Sequence, residues 1–311
     1  MTMEYILRTS DLSKRYKGQL VLDKVNMNIA RGDIYGFVGE NGSGKTTVIR
    51  LVTGLIFENG GSFELFGVSS KSREIINARK RLGAIVETPS IYLNMTAREN
   101  LEIQCDILGL ADKSRVPEIL STVGLADLYG SSKKAANYSL GMRQRLGIAM
   151  ALAGDPEFII LDEPMNGLDP AGIVEVRELI LRLNRDRGIT FLISSHILGE
   201  LALVATKYGI ISHGRIVREI TAEELHNESR GYLLINTATR DGLDAIADIV
   251  ARDYGNETQI TSSGLRIYGN VELNRLLASV LDAGIELRAV NTCEAGIEEY
   301  YLKAIGGGKD A

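Results

Sequence analysis

The segment Gly39-Glu-Asn-Gly-Ser-Gly44-Lys45-Thr46 decides the fold of this chain. It follows an apolar run, Ile34–Gly39, and precedes apolar residues at helical spacing, namely Val48, Leu51, Val52 and Leu55. The segment fits the phosphate-binding pattern G-x-x-x-x-G-K-[ST], which requires a strand before it and a helix after it. Its glycines let consecutive backbone N–H groups and the helix N-terminus face an anion. We therefore predict a phosphate-binding loop in an α/β protein.

The loop predicts contacts with a nucleoside triphosphate and its Mg²⁺ ion. Lys45 is expected to neutralise charge on the β- and γ-phosphates, and the Thr46 hydroxyl is expected to bind the metal. An accidental glycine-rich turn is the alternative, but it does not explain the flanking strand and helix. The predicted nucleotide-binding residues of the loop are Gly39, Asn41, Gly42, Ser43, Gly44, Lys45, Thr46 and Thr47.

A second apolar strand, Phe158–Leu161, ends in two carboxylates, Asp162 and Glu163. Parallel strands place their carboxyl ends at one edge of a sheet, so Asp162 is expected to reach the Mg²⁺ ion held by Thr46. Glu163 would then face the γ-phosphate and polarise an attacking water. Strands often exit into acidic turns, so this pattern gains its weight from the phosphate-binding loop upstream.

Composition excludes several classes of protein. The net charge of −5, with both signs interspersed, offers no basic face for a nucleic-acid backbone. No apolar run approaches the ~18 residues that span a bilayer, and the first ten residues do not resemble a signal peptide. We expect a cytoplasmic chain in which Cys105 and Cys293 are reduced core residues.

The pattern along the chain predicts two domains. Short apolar runs, including Thr190–Ser194, alternate with amphipathic helices, which is typical of a mostly parallel sheet. A helical insertion is predicted at about 90–153, opened by a capping box of Thr96 and Glu99. A polar stretch, 223–231, then separates an ATPase-type body (1–224) from a small α/β domain (231–305).

Further motifs resemble those of the ATP-binding subunits of ABC transporters over Tyr5–Glu224. They are Tyr16 ahead of the loop, the signature-like segment Tyr138-Ser-Leu-Gly-Met142, Asn166-Gly-Leu-Asp169, and His196 after a strand. The resemblance implies a P-loop NTPase in which Tyr16 stacks on adenine, Ser139 and Gly141 contact ATP across a dimer, Asp169 belongs to the D-loop, and His196 contacts the γ-phosphate.

Each of these residues also fits an ordinary structural role. Tyr16 fits a surface or core aromatic. Asp169 precedes Pro170 and fits a helix N-cap. A histidine that follows a strand, such as His196, is more often structural than catalytic, and only its position in the family pattern reverses that expectation.

Two positions depart from the family pattern. In the signature, Leu140 and Met142 replace a glycine and a glutamine, while Ser139 and Gly141 remain. Glu87 stands where most of the family has a glutamine, and we predict that it contacts Mg²⁺; a position facing solvent or a membrane partner is the alternative. The segment around Glu87 and the C-terminal domain resemble the subgroup that exports bacitracin, lantibiotics and related peptides.

The resemblance implies an ATPase with Glu163, His196 and Lys45 as catalytic residues, ATP as substrate, and Thr46, Asp162 and Glu87 at Mg²⁺. It implies two partners: a second ATP-binding subunit, identical or paralogous, and separate polytopic permease subunits that hold the chain at the inner face of the cell membrane. No nucleic-acid partner is expected. A soluble ABC-type ATPase of DNA repair or translation remains the alternative, and so does a regulator that only binds ATP; the sequence does not name the cargo.

Overall fold

The computed structural model describes residues 4–229, 231–269, 271–293, 300–301 and 304–305. These residues form two compact units, one that runs to Ala222 and includes 304–305, and one that begins at Glu223. No helix in the described ranges combines the length and the apolar character needed to cross a membrane. Each unit is described by itself below.

The first unit alternates strands and helices along the chain. Its strands are β1 (Tyr5–Tyr16), β2 (Gln19–Val25), β3 (Asn28–Ala30), β4 (Ile34–Val38), β5 (Gly60–Leu65), β6 (Val68–Ser69), β7 (Leu82–Ile85), β8 (Phe158–Asp162), β9 (Thr190–Ser195), β10 (Lys207–Ser212) and β11 (Arg215–Thr221). Its helices are α1 (Lys45–Thr53), α2 (Ile75–Arg79), α3 (Ala97–Ile107), α4 (Val116–Thr122), α5 (Leu140–Leu152), α6 (Pro170–Arg187) and α7 (Leu198–Leu201).

The described residues of this unit build two sheets. The core sheet has the order β11-β10-β4-β9-β8-β7 and is parallel except for β11. Every residue of β4, β8 and β9 is buried, which explains their near-continuous apolar sequence. The predicted parallel α/β core is confirmed. The second sheet, β2-β1-β5-β6 with β3 beside β1, is antiparallel and was not part of the prediction.

The register of the core sheet brings the functional segments to one edge. Val38, at the end of β4, lies opposite Ser195 of β9, and Ser194 lies opposite Asp162 of β8. The phosphate-binding loop leaves β4 at this edge, and Glu163 follows β8 there. The carboxyl ends of adjacent parallel strands therefore form the floor of the site.

The helical insertion contains α3, α4 and α5. The capping box at α3 is confirmed, because Thr96 Oγ1 accepts a hydrogen bond from Glu99 N (3.2 Å) and Glu99 Oε2 accepts one from Thr96 N (2.6 Å). The backbone N–H of Thr96 is the main cause that lowers the pKa of Glu99 to about 2. Cys105 is buried on α3, as predicted.

The second unit begins within a short helix, α8 (Ala222–Glu228). Its elements are β12 (Tyr232–Thr237), α9 (Arg240–Asp253), β13 (Thr258–Thr261), β14 (Gly264–Tyr268), α10 (Leu273–Asp282) and β15 (Leu287–Cys293). The antiparallel order β13-β14-β12-β15 and the βαββαβ succession give a ferredoxin-like arrangement. Apolar residues of α9, α10 and the central strands fill its core. Cys293 is only half-buried, so its predicted core position is wrong.

Candidate active site

The phosphate-binding loop is a tight turn that leaves no room for side chains. Gly44 has φ 113°, and a Cβ there would lie 2.5 Å from Leu22 Cδ2. A Cβ at Gly39 would lie 2.4 Å from the Ile211 carbonyl oxygen and 2.5 Å from Ser43 Oγ. Glycine is therefore required at both positions, at Gly44 for its left-handed backbone as well as for space. The loop ends at the first turn of α1, whose N–H groups have no partner within the helix.

Two side chains of this loop are suited to bind an anion. Ser43 Oγ is buried and has no hydrogen-bond partner among the described residues. Lys45 is 5% exposed and its Nζ donates to the carbonyl oxygens of Gly39 (2.6 Å) and Glu40 (3.2 Å). A buried hydroxyl without a partner is costly unless a ligand satisfies it. The loop thus fits the phosphate groups of a nucleotide.

Glu163 joins the predicted catalytic residues. Its Oε1 lies 3.3 Å from Lys45 Nζ, and its Oε2 lies 2.8 Å from His196 Nδ1. The backbone at Glu163 has φ 49°, an uncommon conformation for a residue other than glycine. Such a conformation persists only when its surroundings hold it. Here the Glu163 N–H donates to Ser194 Oγ (2.9 Å), and the carboxylate has a cationic partner on one side and an imidazole on the other.

Asp162 is held by Ser194, a residue that sequence analysis missed. Ser194 Oγ donates to Asp162 Oδ1 over 2.6 Å, and both residues are buried. The available signal was the change from apolar to hydroxyl residues at the end of β9, which belongs to no motif that we used. The described residues contain no group of three or more His, Cys, Asp or Glu that forms a metal site. One carboxylate at Asp162 and the hydroxyl of Thr46, in the first turn of α1, suit Mg²⁺, which usually keeps several waters and binds substrate phosphates as well.

Glu87 follows β7 with φ 62°. Its carboxylate accepts a hydrogen bond from the Arg50 guanidinium, and 57% of its side chain is exposed. The structure therefore pairs Glu87 with a cation of α1. Its role at Mg²⁺ stays a prediction, and that role requires Glu87 to leave Arg50.

Tyr16 lies at the end of β1 and is 39% exposed, with Lys14 Nζ 5.3 Å from its ring centroid. It occupies the tip of the β1–β2 hairpin, and Leu22 of the same hairpin contacts the phosphate-binding loop at Gly44. Tyr16 thus belongs to the hairpin that contacts the phosphate-binding loop. Stacking on adenine stays a prediction.

The signature and the D-loop lie side by side within the chain. Ser139 caps α5 and accepts a hydrogen bond from Met142 N (3.2 Å), while Asp169 caps α6 and accepts one from Gly172 N (3.1 Å). The Cβ position of Gly141 lies 3.8 Å from Gly172 Cα. The predicted N-cap role of Asp169 is confirmed, and the contacts of Ser139, Gly141 and Asp169 with ATP in a second subunit stay predictions.

Comparison with known proteins agrees with this geometry. Residues 22–166 match the model of a family described as ABC transporter. The bacitracin transport ATP-binding protein BcrA of Bacillus licheniformis is 41% identical over 98% of this chain and 99% of its own length. The chain is an ATP-binding protein of the ABC transporter family. The sequence-based identification of the family is therefore confirmed.

Other relatives match only part of this ABC ATPase. The lantibiotic transport ATP-binding protein SrtF of Streptococcus pyogenes is 39% identical, but the match covers 69% of this chain and 90% of SrtF. The crystal structure of an ATP-binding cassette of an ABC transporter in its ADP conformation is 28% identical, has a TM-score of 0.64, and covers 72% of this chain and 94% of that one. BcrA thus matches the second unit of this ABC ATPase as well as the first, because its match spans nearly the whole chain.

Proposed function

We propose that this ABC ATPase hydrolyses ATP with Mg²⁺ to drive export of a peptide antibiotic or a related compound through separate membrane permease subunits. The observation that carries the proposal is the position of Glu163 between Lys45 and His196, at the edge of the sheet from which the phosphate-binding loop leaves. A carboxylate at this place is suited to orient water for attack on a bound γ-phosphate.

The side chains of the site have distinct roles in the proposed reaction. Ser43, Lys45 and the N–H groups of the loop bind the phosphates, and Thr46 with Asp162 holds Mg²⁺. When bound, Mg²⁺ offsets charge on the phosphate oxygens. Glu163 accepts the proton of the attacking water or orients that water. His196, held by its contact with Glu163, faces the transferred phosphoryl group.

A second ATP-binding subunit completes the proposed site. The chain carries one copy of each motif, so the Ser139 hydroxyl, Gly141 and Asp169 act on ATP bound to the partner, which is a second copy or a paralogue. Ser139 begins a helix of 13 residues, whose N-terminus favours an anion. The change of a signature glycine to Leu140 leaves this hydroxyl and helix end in place.

Transport is favoured over a role in DNA repair or translation. The two relatives compared are named for bacitracin and lantibiotic transport. The proposed location is the inner face of the cell membrane, through permease subunits. A soluble ATPase would instead act without any membrane partner, so co-purification of a polytopic protein with the tagged chain from its native cell tests this choice.

Replacement of Glu163 by glutamine tests the chemistry. Glu163→Gln keeps the shape but removes the charge, so ATP binding should persist while turnover falls by about 10²–10⁴-fold. Glu178→Gln, the same change at an exposed position of α6, is the matched control and should hydrolyse ATP like the unmodified protein. Hydrolysis by Glu163→Gln at the rate of the control would disprove the assignment.

A further inference from the structure

The loop after β7, residues 86–90, has an unusual conformation at Glu87. Thr88 N donates to Val86 O over 2.9 Å, which closes a three-residue turn around Glu87 at φ 62°. A γ-turn with positive φ is rare and strained. Such a conformation persists only when its neighbours fix it, so the contacts of residues 86–90 are informative.

One neighbour is Arg50 of α1, whose guanidinium donates to Glu87 Oε1. Arg50 follows Lys45 by five residues on the same short helix, so its position is tied to the phosphate-binding loop. Arg50 is 38% exposed and Glu87 57% exposed, and a pair in this setting shifts a local equilibrium by up to about fivefold. A shift of this size changes how often the strained turn at Glu87 opens.

The other neighbour is α5, the helix that Ser139 begins. A Cβ at Gly147 would lie 2.6 Å from Pro89 Cβ and 3.1 Å from Ile85 Cδ1. The loop therefore packs against α5 at a point where no side chain fits. Only Thr88 separates the ion-paired Glu87 from this contact.

We propose that Arg50 is a positioning residue: by holding Glu87 it fixes the strained loop and, through Pro89 and Gly147, the placement of α5 relative to α1. The inference rests on the proposed function, in which α1 binds the phosphates and the start of α5 acts on ATP in the partner. A carboxylate at position 87 pairs with the Arg50 guanidinium far better than the neutral amide of a glutamine would.

Hydrogen exchange of the full chain, measured by mass spectrometry without added nucleotide, tests this link. Arg50→Gln and Glu87→Gln should each speed exchange by about two- to fivefold at Thr88 and in α5 around Gly147, where the loop packs. Hydrogen exchange in the double variant should be no faster than in either single variant. The charge-swapped variant, Arg50→Glu with Glu87→Arg, should restore protection. Arg98→Gln is the matched control, because it removes an Arg–Glu pair within α3 (Arg98 Nε to Glu102, 2.6 Å).

Additive effects in the double variant would overturn the proposal, because they would mean that Arg50 and Glu87 act separately. Faster exchange at Thr88 with unchanged exchange in α5 would also overturn it, since the loop would not position the helix. These readouts involve no turnover. A failure of the Glu163→Gln test would remove the proposed function and leave the exchange results intact, so the two failures are distinguishable.

Discussion

Ser194 offers the sharpest test of how the site is held together. Its hydroxyl donates to Asp162 Oδ1 (2.6 Å) and accepts from Glu163 N (2.9 Å), and none of the residue is exposed. Ser194→Ala removes both bonds. It leaves a buried carboxylate oxygen without its donor and the N–H of Glu163 without an acceptor.

The cost follows from these two bonds. A hydrogen bond to a charged group contributes about 1.5–3 kcal/mol and one between neutral groups about 0.5–1.5 kcal/mol. The loss should therefore be about 3 kcal/mol. In a unit of about 220 residues, 1 kcal/mol shifts the melting temperature by about 2–4 °C, so Ser194→Ala should lower it by about 6–12 °C.

Thermal unfolding of the full chain, followed by circular dichroism without nucleotide, measures this shift. Ser212→Ala makes the same change at the half-buried end of β10 in the same sheet, and it should move the melting temperature by less than about 2 °C. A shift for Ser194→Ala as small as that of the control would refute the argument that this hydroxyl holds both carboxylate residues in place.

Three further outcomes are expected. Gly214→Ala should weaken ATP binding, measured by calorimetry, because Gly214 N donates to Ser43 O (3.0 Å) and a Cβ would lie 2.2 Å from Val21 O. Gly188→Ala is the control and should leave ATP binding unchanged, because Gly188 has a similar φ but no atom within 4 Å of its Cβ position. Thr96→Ala should cost about 1 kcal/mol in urea unfolding through loss of the N-cap. Hydrogen bonds from Arg81 and then Arg31 lower the pKa of Glu157 to about 2, so the stability that ionised Glu157 contributes should be complete above its usual pKa and lost as the pH falls toward 2. Glu157→Gln should flatten that part of a series of unfolding measurements against pH.

Local patterns made much of this molecule predictable. Residues close together in sequence determine the phosphate-binding loop, the capping box at Thr96 and the apolar strands of the core sheet. The antiparallel sheet escaped prediction because β1 does not alternate cleanly: it contains Asp11 at φ 49°, and its pairing with β2 shifts register twice between Leu12 and Arg15. Bulges of this kind break the two-residue period on which strand prediction relies.

The contacts within the site were harder to foresee. Ser194 and Asp162 are 32 residues apart, and Arg50 and Glu87 are 37 residues apart. Strand order brings Ser194 to Asp162, because β9 pairs with β8. No single-residue pattern encodes that order, so the sequence predicted the candidate reacting groups but not the residues that hold them.

The contact between Lys45 and Glu163 makes nucleotide binding an exchange reaction. The two side chains are 6% and 21% exposed, and a single ammonium group serves the carboxylate at 3.3 Å. In the proposed function a triphosphate competes for that ammonium, so the measured affinity is the difference between two ion pairs. Neutralising Glu163 should then tighten ATP binding, independently of its effect on turnover. In this proposal the Glu163 carboxylate is released from Lys45 only when a phosphate has replaced it as the partner of the ammonium group. Nucleotide binding itself therefore makes Glu163 available to act as the base.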